Sequence, residues 1–208
     1  MKALLLGPNG QLGSDIRRAH DASDAGFELS PMDRQALDVT SVADIERVLA
    51  AADFDVLINC TSYHKTDEAE DNEALAFAVN AQAVKALARV CAAKRAMFVH
   101  VSTDYVFGAD STRKRPFQES DATGPVNVYG ASKAMGESLA LIEHEATVVL
   151  RVASVAGIAG ASGKGGNFVE TMIRLGREKG ALRVVDDQVM SPTSTADIAA
   201  VVLRMVSD

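Results

Sequence analysis

The 208-residue sequence predicts an α/β fold built on a parallel sheet, and three observations carry that prediction. Short apolar runs recur at 3–6, 55–60, 97–101, 147–153 and 182–185, each bounded by turn-forming residues. Such runs, mostly apolar and bounded by turn residues, are the mark of strands buried on both faces. Amphipathic, Ala-rich stretches lie between them, and the resulting strand–helix alternation favours parallel crossover units over hairpins.

Taken in order, strand 3–6 leads into a helix over 12–20 that follows Gly10. A second helix over 41–52 starts from Thr40 or Ser41, whose hydroxyls suit a helix N-cap. After strand 55–60, residues 73–94 place Leu75, Val79, Val84, Leu87 and Cys91 at helical spacing. Strand 97–101 is followed by a helix over 129–145, and strand 147–153 by one over 167–179. Run 182–185 then precedes a closing helix over 195–206, capped by Ser194 or Thr195. Two loops follow strands, where open α/β sheets place ligands: polar 109–126 with its two prolines, and 157–166 with its five glycines.

Composition sets the outer limits. Apolar residues make up 48% and charged residues 24%, which fits a globular chain and excludes disorder or a collagen-like structure. The length predicts one domain, or one and a piece of another. Net charge is 21 − 28 = −7, a poor match to nucleic acid, which needs basic faces. A small anionic ligand remains compatible, because backbone dipoles can hold one. No apolar run approaches the ~20 residues of a membrane helix, so no membrane partner is expected. The opening run Ala3–Leu6 is too short for a signal-peptide core, so the expected compartment is the cytoplasm. Cys60 and Cys91 form no closely spaced metal motif; free thiols and no metal are expected.

Gly7-Pro8-Asn9-Gly10-Gln11-Leu12-Gly13 stands between the first strand and the first helix. The G-x-x-G-x-x-G spacing suits a tight turn that lets a pyrophosphate approach the N–H groups of a helix N-terminus. The third glycine lets the helix pack closely on the strand. Asp38 falls 25 residues after Gly13, about where an acidic residue meets an adenosine ribose. Arg34 would instead suit a 2′-phosphate. The two cues conflict, and NADH and NADPH both remain open.

A second constellation lies further along. Ser102-Thr103-Asp104-Tyr105 follows the strand at 97–101, and Tyr129 and Lys133 stand four residues apart on one helix face. A phenol near pKa 10 is a poor acid at neutral pH, and lowering it by about 3 units needs about 4 kcal/mol of differential stabilisation. A lysine ammonium one turn away, with the positive nicotinamide ring, supplies the right sign of field. Thr103, at a strand's carboxyl end, can hydrogen-bond the carbonyl that receives the proton.

These residues together resemble the extended short-chain dehydrogenase/reductases and, within them, the dTDP-4-dehydrorhamnose reductase group. The resemblance runs through Leu37-Asp38-Val39-Thr40, Asn59-Cys60-Thr61-Ser62, Val79-Asn80-Ala81, Gly136-Glu137, Arg151, Asn167-Phe168, Val185-Asp186-Asp187-Gln188 and Ser191-Pro192-Thr193. It implies a Rossmann-like doubly wound sheet with the C-terminal substrate domain largely missing: 1–155 for the dinucleotide, and 156–208 as a partial substrate region returning to that fold. It implies NAD(P)H-dependent reduction of a dTDP-4-keto-6-deoxy sugar, with Thr103, Tyr129 and Lys133 catalytic. The cofactor would lie along Gly7, Asn9, Gly10, Gln11, Leu12, Gly13, Arg34, Asp38, Val39, Cys60, Thr61, Ser62, Tyr129 and Lys133. Asp104, Tyr105, Asn167, Gln188 and Ser191 would face the sugar nucleotide, and a homodimer is compatible.

The chain departs from that group in three places. No aromatic residue follows the Arg151-Val152-Ala153-Ser154 stretch, Met190 stands where a glycine usually precedes Ser-Pro-Thr, and the group normally continues beyond the closing helix. The expectation is a truncated or shortened member with a weakened sugar pocket. Two alternatives stand beside the reductase: an epimerase or dehydratase, given Asp104 beside Thr103, and a non-catalytic dinucleotide-binding regulatory subunit.

Overall fold

The computed structural model describes residues 1–159, 168–186 and 188–207. Its centre is a five-stranded, all-parallel sheet in the order β2-β1-β3-β4-β5, formed by β1 (Lys2–Leu6), β2 (Glu28–Met32), β3 (Val56–Asn59), β4 (Met97–Thr103) and β5 (Thr147–Val152). Side-chain alternation along each strand feeds two cores. Leu4, Leu6, Leu57 and Phe98 point to one face, where α2 (Val42–Ala51) and α5 (Ala83–Lys94) cover them. Ala3, Leu5, Val56, Ile58 and Val99 point to the other, under α1 (Gln11–Asp21) and α8 (Thr195–Ser207). Burying each large aliphatic side chain contributes about 1.5–3 kcal/mol, so both faces must be covered for the sheet to hold. The closing helix does this for the second face: Ile198, Ala199, Val202, Leu203 and Val206 pack with Leu12 and Ile16 of α1.

The central helices follow the spacing of their apolar residues. Ser41 caps α2 by accepting the Asp44 N–H at 3.2 Å, and Ser194 accepts the Asp197 N–H at 3.4 Å at the start of α8. The stretch 73–94 is helical but not uniform: α4 (Glu73–Phe77) passes through a π-helical turn (Ala78–Gln82) into α5. That stretch is long and apolar enough to span a membrane by length and composition alone, and 61% of its most apolar window is buried within the fold. Its apolar character serves the protein core. Helix α6 (Val128–Glu143) lies against it, at a contact so close that a Cβ on Gly136 would stand 2.0 Å from the Asn80 carbonyl oxygen.

Several elements differ from the sequence reading. Run 182–185 is not a strand: residues 181–186 are irregular, and Val184 and Val185 are exposed. The sheet ends at β5, so this run has no neighbour to pair with, and apolar residues alone do not hold an unpaired strand. Strand β2 was hidden because Glu28, Ser30 and Pro31 interrupt its apolar character; it is the sheet edge, where a proline is tolerated. The short helix α3 (Thr66–Asp71) and the two-residue pair β6 (Val155–Ala156) and β7 (Thr193–Ser194) are too brief to carry a periodicity. Helix α7 (Phe168–Lys179) forms as its pattern predicts, yet none of its residues is buried.

One buried ion pair ties α6 to β5. Glu137, nearly fully buried, receives the Arg151 guanidinium through Nε at 3.1 Å and Nη2 at 2.7 Å. Removing one partner of such a pair strands the other charge, at about 3–5 kcal/mol. Glu137→Ala is therefore expected to lower the urea midpoint by an amount in that range with an unchanged denaturant slope. A shift under about 1 kcal/mol, the worth of a surface pair, would show that the pair is effectively solvated.

Candidate functional site

The strand order reverses direction between β1 and β3, and the loops leaving their carboxyl ends part there to form a crevice. The glycine turn occupies one side. Gly7 has φ +74°, a left-handed conformation that favours glycine, and a Cβ there would stand 3.0 Å from the Cys60 carbonyl carbon. A Cβ on Gly13 would lie 2.2 Å from the Gly7 oxygen. Gly10 is the N-cap of α1 and offers no side-chain cap, and the first turn carries no acidic residue. The first amides of α1 (Gln11, Leu12 and Gly13) thus sit at a helix N-terminus without a side-chain acceptor from the cap, beside a bare turn. Asn9 is exposed at the tip of that turn.

The other side is the segment after β3. Thr61 donates to Asn59 Oδ1 through its N–H at 3.0 Å and its hydroxyl at 2.6 Å. Asn80, in the π-helical turn, uses its whole amide on the same segment. Its Oδ1 accepts the Ser62 hydroxyl at 3.1 Å and the Tyr63 N–H at 2.8 Å. Its Nδ2 donates to the Tyr63 carbonyl and to Ser132 Oγ, both at 3.0 Å. Ser132 in turn donates to the Tyr129 carbonyl at 2.7 Å. The extra residue of the π turn aims Asn80 at this loop, and so joins Cys60-Thr61-Ser62 to the helix bearing Tyr129 and Lys133. The sequence reading gave Asn80 no role. Its signals were a polar residue on an apolar helix face and its place in the Val79-Asn80-Ala81 piece of the family resemblance.

At the far end of the crevice, the two conflicting cues are partners. Asp38 accepts the Thr40 N–H at 3.0 Å and hydroxyl at 2.9 Å, and Arg34 stands 3.4 Å from its other oxygen. The Thr40 hydrogen bonds, then Arg34, hold the Asp38 carboxyl below its usual range. Val39 packs against the first core.

Thr103 ends β4 and Tyr129 opens α6, whose N-cap Asn127 accepts the Gly130 N–H at 2.7 Å. The hydroxyls of Thr103 and Ser62 face the Tyr129 phenol and favour its ionised form, but burial dominates and raises its pKa above the usual value. The spacing argument set the Lys133 ammonium and the positive nicotinamide ring together against that rise. Lys133 is fully buried, and its Nζ donates to the Val101 carbonyl at 2.6 Å with His100 Nε2 at 3.3 Å. Four-residue spacing puts two side chains on one face but does not decide where a long lysine chain ends. Burial brings Lys133 down to about 8, against the opposing pull of Glu137 and Cys60. Burial pushes the Cys60 thiol up to about 12, which makes it an inert wall.

Among the residues expected to face a sugar, Asp104 and Tyr105 form the single turn after β4. Asp104 is half-buried, its carboxyl raised by burial, and it accepts the Thr103 hydroxyl at 3.2 Å. The Tyr105 ring meets that of Tyr129 edge-on at 5.7 Å. Gln188 and Ser191 are exposed, Ser191 in the segment entering β7. Asn167 lies outside the described residues. Loop 109–126 folds back on the body: Phe117 stacks on Phe107 at 4.3 Å, with Arg113 over one ring and Arg151 over the other. Among the described residues no group of three or more His, Cys, Asp or Glu could hold a metal ion.

This geometry matches known proteins. The chain is 40% identical over 206 residues to a dTDP-4-dehydrorhamnose reductase of Mycobacterium tuberculosis, covering 98% of this chain and 65% of that one. It therefore spans less than two thirds of that relative's length. A dTDP-4-dehydrorhamnose reductase structure from Clostridium acetobutylicum superposes with a TM-score of 0.89 at 37% identity, over 99% of this chain and 70% of that one. One from Bacillus anthracis, in complex with NADP, does so with 0.87 at 33% identity and the same coverage. The family model described as the RmlD substrate binding domain matches residues 1–208, so the chain belongs to that family.

Proposed function

We propose that this chain carries the dinucleotide-binding and catalytic part of an NADPH-dependent reductase acting on the 4-keto group of a dTDP-4-keto-6-deoxy sugar. The observation that carries the reading is that the Thr103 and Ser62 hydroxyls meet the Tyr129 phenol, while the glycine turn packs against the Cys60-Thr61-Ser62 segment that bears one of them. The relatives' activity and the NADP in the Bacillus anthracis structure support the choice of substrate and cofactor. The chain divides at about residue 155, with 156–208 a partial substrate region that returns through α8 to the dinucleotide fold.

The residues present fit a dinucleotide. A Cβ at Gly7 or Gly13 would meet backbone, and the α1 amides lack a capping acceptor, as a pyrophosphate requires. Gly10, Gln11, Leu12 and Gly13 would hold the pyrophosphate. Arg34, exposed and loosely held, would reach a 2′-phosphate, while Asp38 stays occupied with Thr40. Cys60, Thr61 and Ser62 would line the path to the nicotinamide. When bound, the reduced cofactor supplies the hydride that converts the C4 carbonyl to an alcohol.

The chain's own residues then handle the oxygen. Thr103 hydrogen-bonds the carbonyl and fixes its direction. Tyr129 donates its phenolic proton to that oxygen as the C–H bond forms. The phenol carries its proton at neutral pH; burial raises its pKa and so weakens it as an acid, and the hydroxyls of Thr103 and Ser62 oppose that rise. Asp104 and Tyr105 sit where the sugar ring would lie.

The test is titration of the chain with NADPH and NADH, followed by nicotinamide fluorescence, which the absence of Trp leaves unobscured. Tight binding of NADPH, with stoichiometric nicotinamide oxidation when dTDP-4-dehydrorhamnose is added, is expected. Sugar conversion without net nicotinamide oxidation would instead identify an epimerase or dehydratase, and binding without any conversion would favour the regulatory reading.

A further inference from the structure

Among the described residues the mechanism leaves Cys91 and His100 fully buried and unused, and of the two only His100 has polar side-chain partners. His100, in the middle of β4, has partners at both ring nitrogens: Asn59 Nδ2 lies 3.1 Å from Nδ1, and Lys133 Nζ lies 3.3 Å from Nε2. The Asn59 amide is not free to turn over. A backbone N–H can only donate, and that of Thr61 donates to Asn59 Oδ1, as does the Thr61 hydroxyl. The Asn59 nitrogen therefore faces His100. An amide nitrogen also only donates, so Nδ1 must accept. Burial, aided by Lys133, keeps the imidazole neutral with a pKa well below its usual value. Its single proton is then on Nε2, aimed at Lys133. A neutral amine can accept that N–H; an ammonium cannot.

We propose that His100 is a positioning residue: locked in its Nε2–H tautomer by Asn59, it favours the uncharged amine of Lys133 and so sets the pH at which the site gains its positive charge. The rest of the surroundings leaves that charge finely balanced. On its own helix Lys133 has Glu137 and Tyr129 one turn to either side, and Glu137 is committed to Arg151 of β5. From β4 come the Val101 carbonyl and His100, and after β3 the neutral Cys60 thiol. Glu137 favours the ammonium, burial opposes it, and His100 adds to burial. The chain Thr61–Asn59–His100–Lys133 thereby connects the loop along the crevice to the lysine behind Tyr129. The catalytic value of that charge rests on the reduction proposed above; the tautomer does not.

The test uses the full chain labelled with ¹⁵N-histidine and ¹³Cε-lysine, read by NMR. His100 is expected to show a proton on Nε2 and a bare Nδ1 from neutral to alkaline pH, and Lys133 to titrate near about 8. In His100→Gln the side-chain oxygen can accept from both Asn59 and the ammonium, so the Lys133 midpoint should rise by about one pH unit, a tenfold change in the amine–ammonium ratio. In Asn59→Asp a carboxylate would draw the proton to Nδ1, and the midpoint should rise again. In Asn59→Asp/His100→Leu that tautomer route is gone, and the rise should shrink to what the added carboxylate charge alone gives. A proton on Nδ1 in the unaltered chain overturns the proposal without any variant having to fold. An unmoved Lys133 midpoint in folded His100→Gln also overturns it. Neither readout depends on turnover, so a failed reductase assay would leave this result standing. Where turnover is seen, the Lys133-dependent limb of the kcat/KM profile should move with the NMR midpoint in each variant.

Discussion

Tyr129→Phe is expected to lower kcat for the 4-keto reduction by about 10²–10⁴-fold, the usual worth of a positioned proton donor. The substitution removes one oxygen and keeps the ring, so the edge-on contact with Tyr105 persists. The hydroxyls that faced the phenol have other partners, Thr103 in Asp104 and Ser62 in Asn80. Nicotinamide binding should therefore change little, and a thermal melt should confirm an intact fold. Reduction consumes the protonated phenol, and burial raises its pKa. In the unaltered chain the phenol's contribution should therefore hold through neutral pH and be lost as it ionises under alkaline conditions, well above the Lys133-dependent limb at about 8. Full activity in Tyr129→Phe would remove the proton-donor assignment.

Gly13→Ala should be the most damaging change in the glycine turn. Its methyl group would stand 2.2 Å from the Gly7 oxygen and 2.9 Å from the Pro8 Cα, both backbone atoms that no rotamer change can move. The Gly7 carbonyl also receives the Gly10 N–H at 3.2 Å, so displacing it opens the turn. Overpacking of this kind costs about 1–3 kcal/mol, and here the strain falls on the amides that would hold a pyrophosphate. NADPH affinity is expected to drop by at least about tenfold, which is 1.4 kcal/mol, together with a lower melting temperature. Gly10→Ala is the control for folding. Its Cβ would lie 3.5 Å from the Gly7 oxygen, an ordinary contact, and its φ of −77° suits any residue. Its melting temperature should stay close to that of the unaltered chain. Equal destabilisation by both would show that close packing of α1 on the turn is not what Gly13 provides.

Much of the architecture was legible because its signals are local. The runs that became β1, β3, β4 and β5 are mostly apolar without strict alternation, since α/β sheets bury both faces, and a short window shows this. Helices α1, α2, α6 and α8 carry their own periodicity, and Ser41 and Ser194 their own caps. The glycine turn was readable because close backbone approach excludes side chains by size, and only glycine meets that demand. Run 182–185 misled because an apolar run reports a wish for burial, not the presence of a neighbouring strand.

The sequence by itself determined the layer order and the chemical kinds of the candidate groups: a bare turn before a helix, a hydroxyl at a strand end, and a phenol one helical turn from a lysine. Only the tertiary structure decided what those groups meet. It paired Arg34 with Asp38, two residues that read as rival cofactor cues. It bonded Lys133 to the Val101 carbonyl and His100, and it gave Asn59 and Asn80 the hydrogen bonds that hold the crevice loop. The physical reason is range. Periodicity, capping and backbone crowding act within a few residues, whereas a buried hydrogen bond depends on which donor and acceptor the fold brings within about 3 Å, however distant they are along the chain.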